Sequence, residues 1–498
     1  MNDPLIECPA GRIRGRRCGE LLRFDGIPFA APPLGSRRFR PPEPPLLPPG
    51  GEIDATRPRP AALQVPGPAL GSRPVGATSE DCLHLNLATP SPAGQRPVMI
   101  WIHGGGYVNG SAGDPIHQGE QLVVRGDLVL VTFDYRLGIF GFLHPEDAPN
   151  PGLRDQIAAL RWVRDNVASF GGDPHRVTLF GESAGAMSIR ALMAAPEADE
   201  LFHAAVLQSG AGIGVESPAG AELVRAHVAA ELGSDDWSRW QALPGDRLLE
   251  VQGRVGEAIR AETGRGAWRP MVDGELVRSS GQQAQAREIN RRRPVLMGIN
   301  AHEQRLFVNP RRPMSRAEAI TRLARTLATS GADAEERAAL VLARHEKLDP
   351  EAGEAARLAA AETDLFFRIP MLRFCHARAG APAATFQYLF RWLSPALRGR
   401  LGACHALEIP FVFGTLDAPG MERFAGTSED AWALSRAMID AWSSFARTGS
   451  PDAAVADWRP WTPDEHWCWI ADRGPHMERG PDEDALEAWR SVLPEGGF

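Results

Sequence analysis

The sequence predicts an α/β protein in which helices cover both faces of a mostly parallel central sheet. Short apolar runs alternate with helical patterns along the chain, as expected for strands that are buried on both faces. The 498 residues are 43% hydrophobic and 23% charged, which is typical of a globular protein and not of a disordered or fibrous one. Six apolar runs are predicted strands: 98–102, 128–133, 177–180, 204–207, 295–299 and 386–390.

Helical periodicity is clearest over residues 153–169. Leu153, Ile157 and Leu160 recur there at spacings of four and three residues, which places them on one face of a helix. The pair of glycines that starts at Gly171 predicts the end of this helix.

Two charged stretches rich in Ala, Arg and Glu, at about 217–265 and 313–380, predict helical insertions between the core strands. Insertions of this kind commonly carry substrate selection rather than chemistry. The proline-rich segments 41–49 and 58–74 predict long ordered surface loops, because apolar runs flank them on both sides.

The net charge is −8, from 54 basic and 62 acidic residues. No overall positive field therefore attracts nucleic acid or an anionic membrane surface. Residues 1–15 lack an apolar segment of signal-peptide length, and no run of about 18 uncharged apolar residues occurs. We expect a cytoplasmic monomer with no nucleic-acid or membrane partner.

The pentapeptide GESAG at 181–185 lies between the predicted strand 176–180 and a predicted helix over 184–195. In a G-x-S-x-G elbow the serine takes a strained turn between strand and helix, so its Oγ projects above the sheet. The five letters alone are weak evidence, because they would arise by chance in very roughly a quarter of such chains. The strand before them and the helix after them make Ser183 the candidate nucleophile.

Three consecutive glycines, Gly104 to Gly106, directly follow the predicted strand 98–102. Such a loop can turn its N–H groups into a cavity, which an oxyanion requires. By itself the loop would be interpreted as a flexible turn, but HGGG followed by G-x-S-x-G is the arrangement of lipases and esterases. We interpret His103, which precedes the glycines, as a buried residue that positions the loop.

Longer stretches surround both motifs, in this order: FDGIPFAAPP at 24–33, SEDCLHLN at 79–86, DYRLGIFGFL at 134–143, GLRDQIAALRWVRDNVASFGGDPHRVTLFGESAG at 152–185, QSG at 208–210, RPMVDG at 269–274, GACHALEIPFVFG at 402–414 and WSSFARTGSP at 442–451. Through these stretches the chain resembles the type-B carboxylesterase family, which includes cholinesterases and bacterial para-nitrobenzyl esterases. The resemblance covers nearly the whole length. It implies an α/β-hydrolase fold formed by a single domain over 1–498, with helical insertions at about 211–290 and 309–380.

The resemblance also implies a catalytic triad. Ser183 matches the nucleophile, and His405 in GACHALE matches the catalytic histidine. Glu303 in GINAHEQRLF, at 298–307, matches the triad acid of the family pattern GxNxDEGxxF. Two neighbours depart from that pattern, because His302 replaces the usual Asp and Gln304 the usual Gly.

The implied function is serine carboxylic-ester hydrolysis of small to medium esters through an acyl-enzyme. His405 would take the proton of Ser183, so activity is expected to rise from acidic to neutral pH as His405 loses its proton. The N–H groups of Gly105, Gly106 and Ala184 would hold the oxyanion. No cofactor or metal is implied. The alternatives are the same machinery acting on carbamates, carbonates, lactones or amides, and a binding homologue without catalysis.

Two further residues are candidates for support of the triad. The family uses the residue at the position of Glu182 to support the site from beneath, and Ser209 is similar to a serine that touches the acid's hydrogen-bond network. Either residue could equally be structural, because buried hydroxyls usually satisfy a backbone group. We keep both outside the catalytic set.

Cysteine usage separates this chain from secreted relatives, which close a loop with a disulfide that ends at the position of Cys82. Ala62 stands where those relatives carry the partner cysteine, so Cys82 is predicted to be a free thiol. A disulfide between Cys8 and Cys18 is disfavoured in a reducing compartment. The loop 57–81 contains no aromatic residue, which disfavours the binding of a choline cation.

Overall fold

The structure of the chain is a computed structural model. It describes residues 3–46, 51–65, 77–212, 214–279, 291–327, 333–452, 454, 455, 457–481, 483, 486, 489, 492 and 493. No helix in these parts of the chain is long and apolar enough to cross a membrane.

A large twisted sheet forms the centre of the molecule. Its 11 strands follow the order β16-β15-β14-β13-β12-β11-β9-β10-β8-β4-β3, while β1-β2-β5 and β6-β7 form two small sheets. The strands are β1 Leu5–Cys8, β2 Gly11–Arg14, β3 Arg16–Cys18, β4 Leu21–Pro28, β5 Glu52–Asp54, β6 Ala61–Ala62, β7 Thr78–Ser79, β8 His84–Thr89, β9 Arg96–Ile102, β10 Val129–Phe133, β11 Gly172–Glu182, β12 Ala204–Gln208, β13 Val295–Asn300, β14 Thr385–Phe390, β15 Trp467–Ala471 and β16 His476–Arg479.

The six predicted strands are confirmed as β9 to β14, which lie side by side in the middle of the sheet. All pairings from β10 through β9, β11, β12, β13 and β14 to β15 are parallel. The antiparallel pairs lie towards the two edges. Edge strands such as β3 (RRC) and β16 (HMER) carry charged side chains, which natural sheets use to protect an edge, so no apolar run revealed them.

Helices cover the sheet on both faces. They are α1 Glu120–Gly126, α2 Gly138–Phe142, α3 Pro151–Asn166, α4 Ala184–Ala194, α5 Pro218–Leu232, α6 Trp237–Ala242, α7 Gly245–Thr263, α8 Arg316–Leu327, α9 Ala334–Leu348, α10 Glu354–Thr363, α11 Ile369–Ala377, α12 Ile409–Phe413, α13 Met421–Phe424 and α14 Glu429–Thr448, with a short turn at Ala396–Gly399. A π-helical turn, Asp364–Arg368, joins α10 to α11.

The predicted helix 153–169 is confirmed as α3 followed by a 3-10 turn, Val167–Phe170. Gly171 ends this turn with φ 81°, a left-handed conformation that glycine adopts without a Cβ penalty. The stretches 217–265 and 313–380 are largely helical in their described parts, as α5 to α7 and α8 to α11. Their status as insertions into one domain stays a prediction.

Successive side chains of the central strands pack alternately into two hydrophobic cores, one on each face of the sheet. Ile100 of β9 belongs to the core that also contains Leu160 of α3 and Ile189 of α4. Its neighbour Trp101 belongs to the core on the opposite face, where its ring lies 5.0 Å from that of Phe413. This alternation is the two-residue period of a strand whose faces are both buried.

The cysteines form no disulfide, and all six lie in described parts of the chain. Cys82 is a buried free thiol and Ala62 is buried as well, so the prediction for this position is confirmed. Cys8 and Cys18 are also unpaired. Residues 66–76 of the loop 57–81 lie outside the described residues.

A buried ion pair connects the chain after β10 to α3. Arg136 Nε and Nη2 donate to the two carboxylate oxygens of Asp155 at 2.7 and 2.6 Å, and the side chains are 3% and 0% exposed. Replacing Asp155 with Asn would leave the Arg136 charge buried without compensation, at a cost of about 3–5 kcal/mol. We therefore expect Asp155→Asn to lower the unfolding midpoint strongly in a thermal or urea melt followed by circular dichroism.

The matched control is Asp165→Asn on the same helix. Asp165 pairs with Arg164, but both side chains are about half exposed, so this change should stay within about 0.5 kcal/mol. Equal losses for the two variants would contradict the role of the buried pair.

Candidate active site

Ser183 occupies a sharp turn between β11 and α4. Its backbone has φ 54° and ψ −121°, a strained conformation for a residue with a side chain. The two glycines of the motif permit this turn, because a Cβ on Gly185 would overlap the Ile102 carbonyl oxygen and one on Gly181 would lie 2.7 Å from the same oxygen. Ser183 N–H donates to Gln208 O at 2.9 Å, which fixes the elbow to the neighbouring strand β12. The predicted strand, elbow and helix are all present.

The glycine loop after β9 turns its backbone towards the cleft. Gly105 and Gly106 have φ 104° and 62°, and a Cβ on Gly105 would collide with Asn109. Gly105 O accepts hydrogen bonds from Val108 N and Asn109 N, both at 3.1 Å. Within the described residues, neither the Gly105 N–H nor the Gly106 N–H donates to a protein acceptor. The loop thus presents two donors, and the N–H of Ala184 is a third because it begins a helix.

His103 lies beneath this loop and is 1% exposed. Its ring stacks on Tyr135 at 4.5 Å, and Nδ1 lies 2.9 Å from Gly104 O. Burial lowers the pKa of His103 to about 4, so the ring is neutral near pH 7. The interpretation of His103 as a residue that positions the loop agrees with these contacts.

Glu303 and His405 form a buried pair above the carboxyl ends of the strands. His405 Nδ1 lies 2.6 Å from Glu303 Oε2, and the residues are 6% and 0% exposed. The other oxygen of Glu303 accepts from Ser209 Oγ at 2.5 Å and from Asn300 N at 2.8 Å. Ser209, which the sequence left open, therefore contacts the acid directly.

The second ring nitrogen of His405 faces a carboxylate. His405 Nε2 lies 2.9 Å from Glu182 Oε1. Among the described residues, no hydrogen bond joins Ser183 Oγ to this nitrogen. The structure thus brings Glu303 and His405 together, and it places Ser183 directly after the glutamate that contacts the imidazole.

Sequence reasoning missed a polar network behind this pair. Glu408 accepts from Asn300 Nδ2 at 2.6 Å and from Gln208 Nε2 at 3.1 Å, and Asn300 Nδ2 also donates to Cys404 O at 2.7 Å. Burial, followed by the charges of two neighbouring glutamates, raises the pKa of Glu408 to about 8. The sequence could have indicated part of this network, because Gln208 and Asn300 are polar residues directly after the predicted strands 204–207 and 295–299.

Comparison with known proteins agrees with this geometry. The model of the Carboxylesterase family matches residues 2–489. The chain belongs to the carboxylesterase family. It is 32% identical to the para-nitrobenzyl esterase of Bacillus subtilis (strain 168), over 97% of this chain and 98% of that protein, and 36% identical to the fumonisin B1 esterase of Sphingopyxis macrogoltabida, over 95% and 85%. A Geobacillus stearothermophilus carboxylesterase superposes with a TM-score of 0.85 at 34% identity, over 98% of this chain and all of that one.

The fold of this carboxylesterase is therefore the predicted α/β-hydrolase fold, and its activity is the hydrolysis of carboxylic esters. The loop that carries Glu303, residues 301–307 (the acid loop), departs from the family pattern. His302 N donates to Ala403 O at 2.9 Å, and Ala403 N donates to His302 Nδ1 at 3.1 Å, so His302 ties the acid loop to the loop that carries His405, residues 402–408 (the histidine loop). Gln304 N donates to Thr363 Oγ1 at 3.1 Å, which ties the same loop to α10.

Aromatic rings border His405 on the solvent side. The rings of Phe307 and Phe367 lie 5.4 and 5.1 Å from the imidazole. Phe307 is 59% exposed and Phe366 is 41% exposed, whereas Phe367 is buried. The surroundings of the imidazole are therefore apolar on this side, and the π-helical turn contributes one of the two rings.

The electrostatics of His405 are set by its two carboxylate neighbours. Burial by itself would lower the pKa of His405, but the charges and hydrogen bonds of Glu182 and Glu303 outweigh it and raise the pKa well above the usual value. A base must be deprotonated to act, so kcat/KM should rise with pH through this raised pKa. The rise in activity is therefore expected to extend above neutral pH, beyond the acidic-to-neutral rise that the sequence suggested.

Glu182→Gln should move that rise to lower pH. The change removes one of the two negative charges that favour the imidazolium, so the pKa of His405 should fall and the acidic limb of the profile should move with it. The measurement is kcat/KM on a soluble ester between pH 5 and 10. Glu197→Gln, at a partly exposed carboxylate paired with Arg161, is the control and should leave the profile unchanged. An acidic limb that stays in place in Glu182→Gln would contradict this assignment.

Proposed function

We propose that the protein hydrolyses small to medium carboxylate esters through an acyl-enzyme on Ser183, with His405 as general base and acid and Glu303 as the orienting acid. The observation that carries the proposal is the buried contact of 2.6 Å between His405 Nδ1 and Glu303 Oε2, beside a serine in a strained strand-to-helix elbow. A carboxylate on Nδ1 favours the tautomer in which Nε2 accepts a proton.

In the first step, Ser183 Oγ attacks the ester carbonyl carbon and His405 Nε2 takes the hydroxyl proton. Before this transfer, the imidazole must exchange its contact with Glu182 for a hydrogen bond with Ser183 Oγ. Catalytic hydrogen bonds commonly tighten only in the complex with substrate, so this exchange is compatible with the free-enzyme geometry. Glu303 stabilises the imidazolium that forms.

The developing oxyanion would be held by the N–H groups of Gly105, Gly106 and Ala184. Two of these donors have no protein acceptor among the described residues, and each oxyanion donor is worth about 3 kcal/mol of transition-state stabilisation. The positive end of the α4 dipole lies at the same point and adds to this field.

Acylation ends when His405 returns its proton to the departing alkoxide and the alcohol leaves. In deacylation, a water molecule attacks the acyl group on Ser183 while His405 again takes a proton. His405 then gives this proton to Ser183 Oγ as the bond between Oγ and the acyl carbon breaks, so the carboxylic acid is released and the serine hydroxyl is restored. No cofactor takes part in this sequence of steps.

Substrate scope would be set by the helical stretches that we propose to be insertions into a single domain. Phe367 from the second stretch lies against His405 and its neighbour Phe366 is 41% exposed, so apolar surroundings suit esters with apolar acyl or alcohol groups. The cytoplasmic location and the monomeric state stay predictions from the sequence.

Two alternatives to ester hydrolysis follow from the sequence: the same machinery acting on other carbonyl compounds, and binding without catalysis. The acyl-enzyme route also serves carbamates, carbonates, lactones and amides, because each presents a carbonyl carbon to the serine. A binding homologue without catalysis is disfavoured, because Ser183, Glu303 and His405 are all present.

Ser183→Ala should lower kcat by roughly 10⁶-fold, because the nucleophile acts as a unit with its base. Stopped or continuous assays with a para-nitrophenyl ester measure the loss. Treatment with an organophosphate followed by mass spectrometry gives the matching positive test, in which the wild type should carry a single adduct on the peptide that contains Ser183. Activity above a few per cent in the variant, or an adduct elsewhere, would contradict the assignment of the nucleophile.

Turnover of short-chain para-nitrophenyl esters compared with the matched para-nitroanilides separates ester from amide chemistry. We expect hydrolysis of the esters with a burst or steady turnover, and much slower hydrolysis of the anilides. Faster turnover of the anilides would favour the amide alternative. The absence of a burst and of turnover on any ester would favour the binding homologue.

A further inference from the structure

A cavity separate from the catalytic residues lies behind the acid loop. It has a volume of about 260 Å³ and is lined by the acid loop, the end of α9, α10 and the π-helical turn. Ser183, Glu303 and His405 do not line it. This volume lies below the range of cavities that hold drug-sized ligands, so the cavity suits a small molecule or ion.

Several nitrogens in the walls of the cavity have no hydrogen-bond partner among the described residues. Arg305 makes no side-chain hydrogen bond or ion pair with any described residue, although it is partly buried. His302 Nδ1 accepts the N–H of Ala403, so the proton of this neutral ring sits on Nε2, which is then a donor. Two more buried nitrogens in the lining, Arg357 Nε and His345 Nε2, have no hydrogen-bond partner.

The carboxylates of the lining do not balance these donors. Asp364 is already engaged by Arg368 and by Trp489 Nε1 at 3.1 Å, and it lies 3.2 Å from His345 Nε2 in a geometry without a hydrogen bond. Arg357 pairs with Glu354 at 2.7 Å. Asp349 lines the cavity and its charge acts on Arg305, but no salt bridge joins the two side chains. The donors of the Arg305 guanidinium therefore have no carboxylate bound to them among the described residues and can meet a ligand.

We propose that this cavity is a second ligand site, which binds a small oxyanion through Arg305 and the Nε2–H of His302. A carboxylate or a phosphate offers the several acceptor oxygens that these donors lack, and a planar guanidinium matches both groups. Two sources share this chemistry: the carboxylate product of the enzyme's own reaction, and inorganic phosphate.

The position of the cavity connects it to catalysis. Arg305 lies on the 3-10 turn Glu303–Leu306, two residues after the triad acid. The π-helical turn lines the cavity through Asp364 and Arg368, and the same turn places Phe367 5.1 Å from the His405 ring. A bound anion would contact both elements that border His405 without entering the catalytic site.

Isothermal titration of inorganic phosphate and of acetate into the full-length protein tests the proposal. We expect Arg305→Gln to weaken the binding of the preferred anion by about 10-fold or more, because one charged hydrogen-bonding partner is lost. Arg312→Gln is the matched control, because Arg312 is exposed and pairs with Glu318, and it should bind as the wild type does. Tighter phosphate binding would identify inorganic phosphate as the ligand, and tighter acetate binding would identify the product carboxylate.

A second variant tests the cavity without removing a charge. Ala356→Leu fills it from α10 and should also abolish binding, whereas Ala261→Leu on the exposed face of α7 should not. Ser183→Ala should retain the anion affinity. Loss of binding in Ser183→Ala would place the anion in the catalytic site and overturn the proposal, as would unchanged binding in both cavity variants or no binding of either anion to the wild type. These results do not depend on turnover, so they are separable from a failure of the proposed esterase mechanism.

Discussion

A buried imidazole held between two carboxylates is the interaction on which the rest of the site depends. His405 contacts Glu303 through one ring nitrogen and Glu182 through the other, and all three residues are at most 6% exposed. Burying a charge costs several kcal/mol unless opposite charges and hydrogen bonds compensate for it. Ser209 and Asn300 supply donors to one oxygen of Glu303, whereas Glu182 Oε1 lies near His405 as a charge without a hydrogen bond of good geometry. The pKa of the histidine therefore depends on both charges and on the donors that hold Glu303 in place.

The parallel sheet explains why these donors meet. Strands β11, β12 and β13 run in the same direction and end side by side, with Glu182 opposite Gln208 and Gln208 opposite Gly298. Open sheets assemble their sites at the carboxyl ends of the strands for this reason. Gln208 joins the parts, because its carbonyl accepts from Ser183 N and its side chain donates to Glu408. These contacts join the ends of three adjacent strands, and they hold the strained elbow of Ser183 in place.

The central strands and the Ser183 elbow could be predicted because they leave patterns over a few neighbouring residues of the sequence. Apolar runs predicted the six central strands, and the flanking strand and helix made GESAG interpretable as an elbow at Ser183. Glu303 and His405 came only from the family resemblance, because nothing local distinguishes one buried glutamate or histidine from another. Glu408 was missed because its role depends on Asn300 and Gln208, which lie 108 and 200 residues away along the chain. Hydrogen bonds between residues far apart along the chain produce no repeating pattern in the sequence from which they could be predicted.

The acid loop departs from the family pattern at His302, and this departure affects the charges near Arg305. Where the family carries aspartate, His302 is neutral, because burial first and then the charges of Arg305 and Arg368 lower its pKa to about 3. Its Nδ1 accepts the N–H of Ala403, so His302 itself links the acid loop to the histidine loop. A neutral ring, however, supplies no negative charge to Arg305. Arg305 on the same loop thus has the charge of Asp349 near it but forms no salt bridge with any described residue.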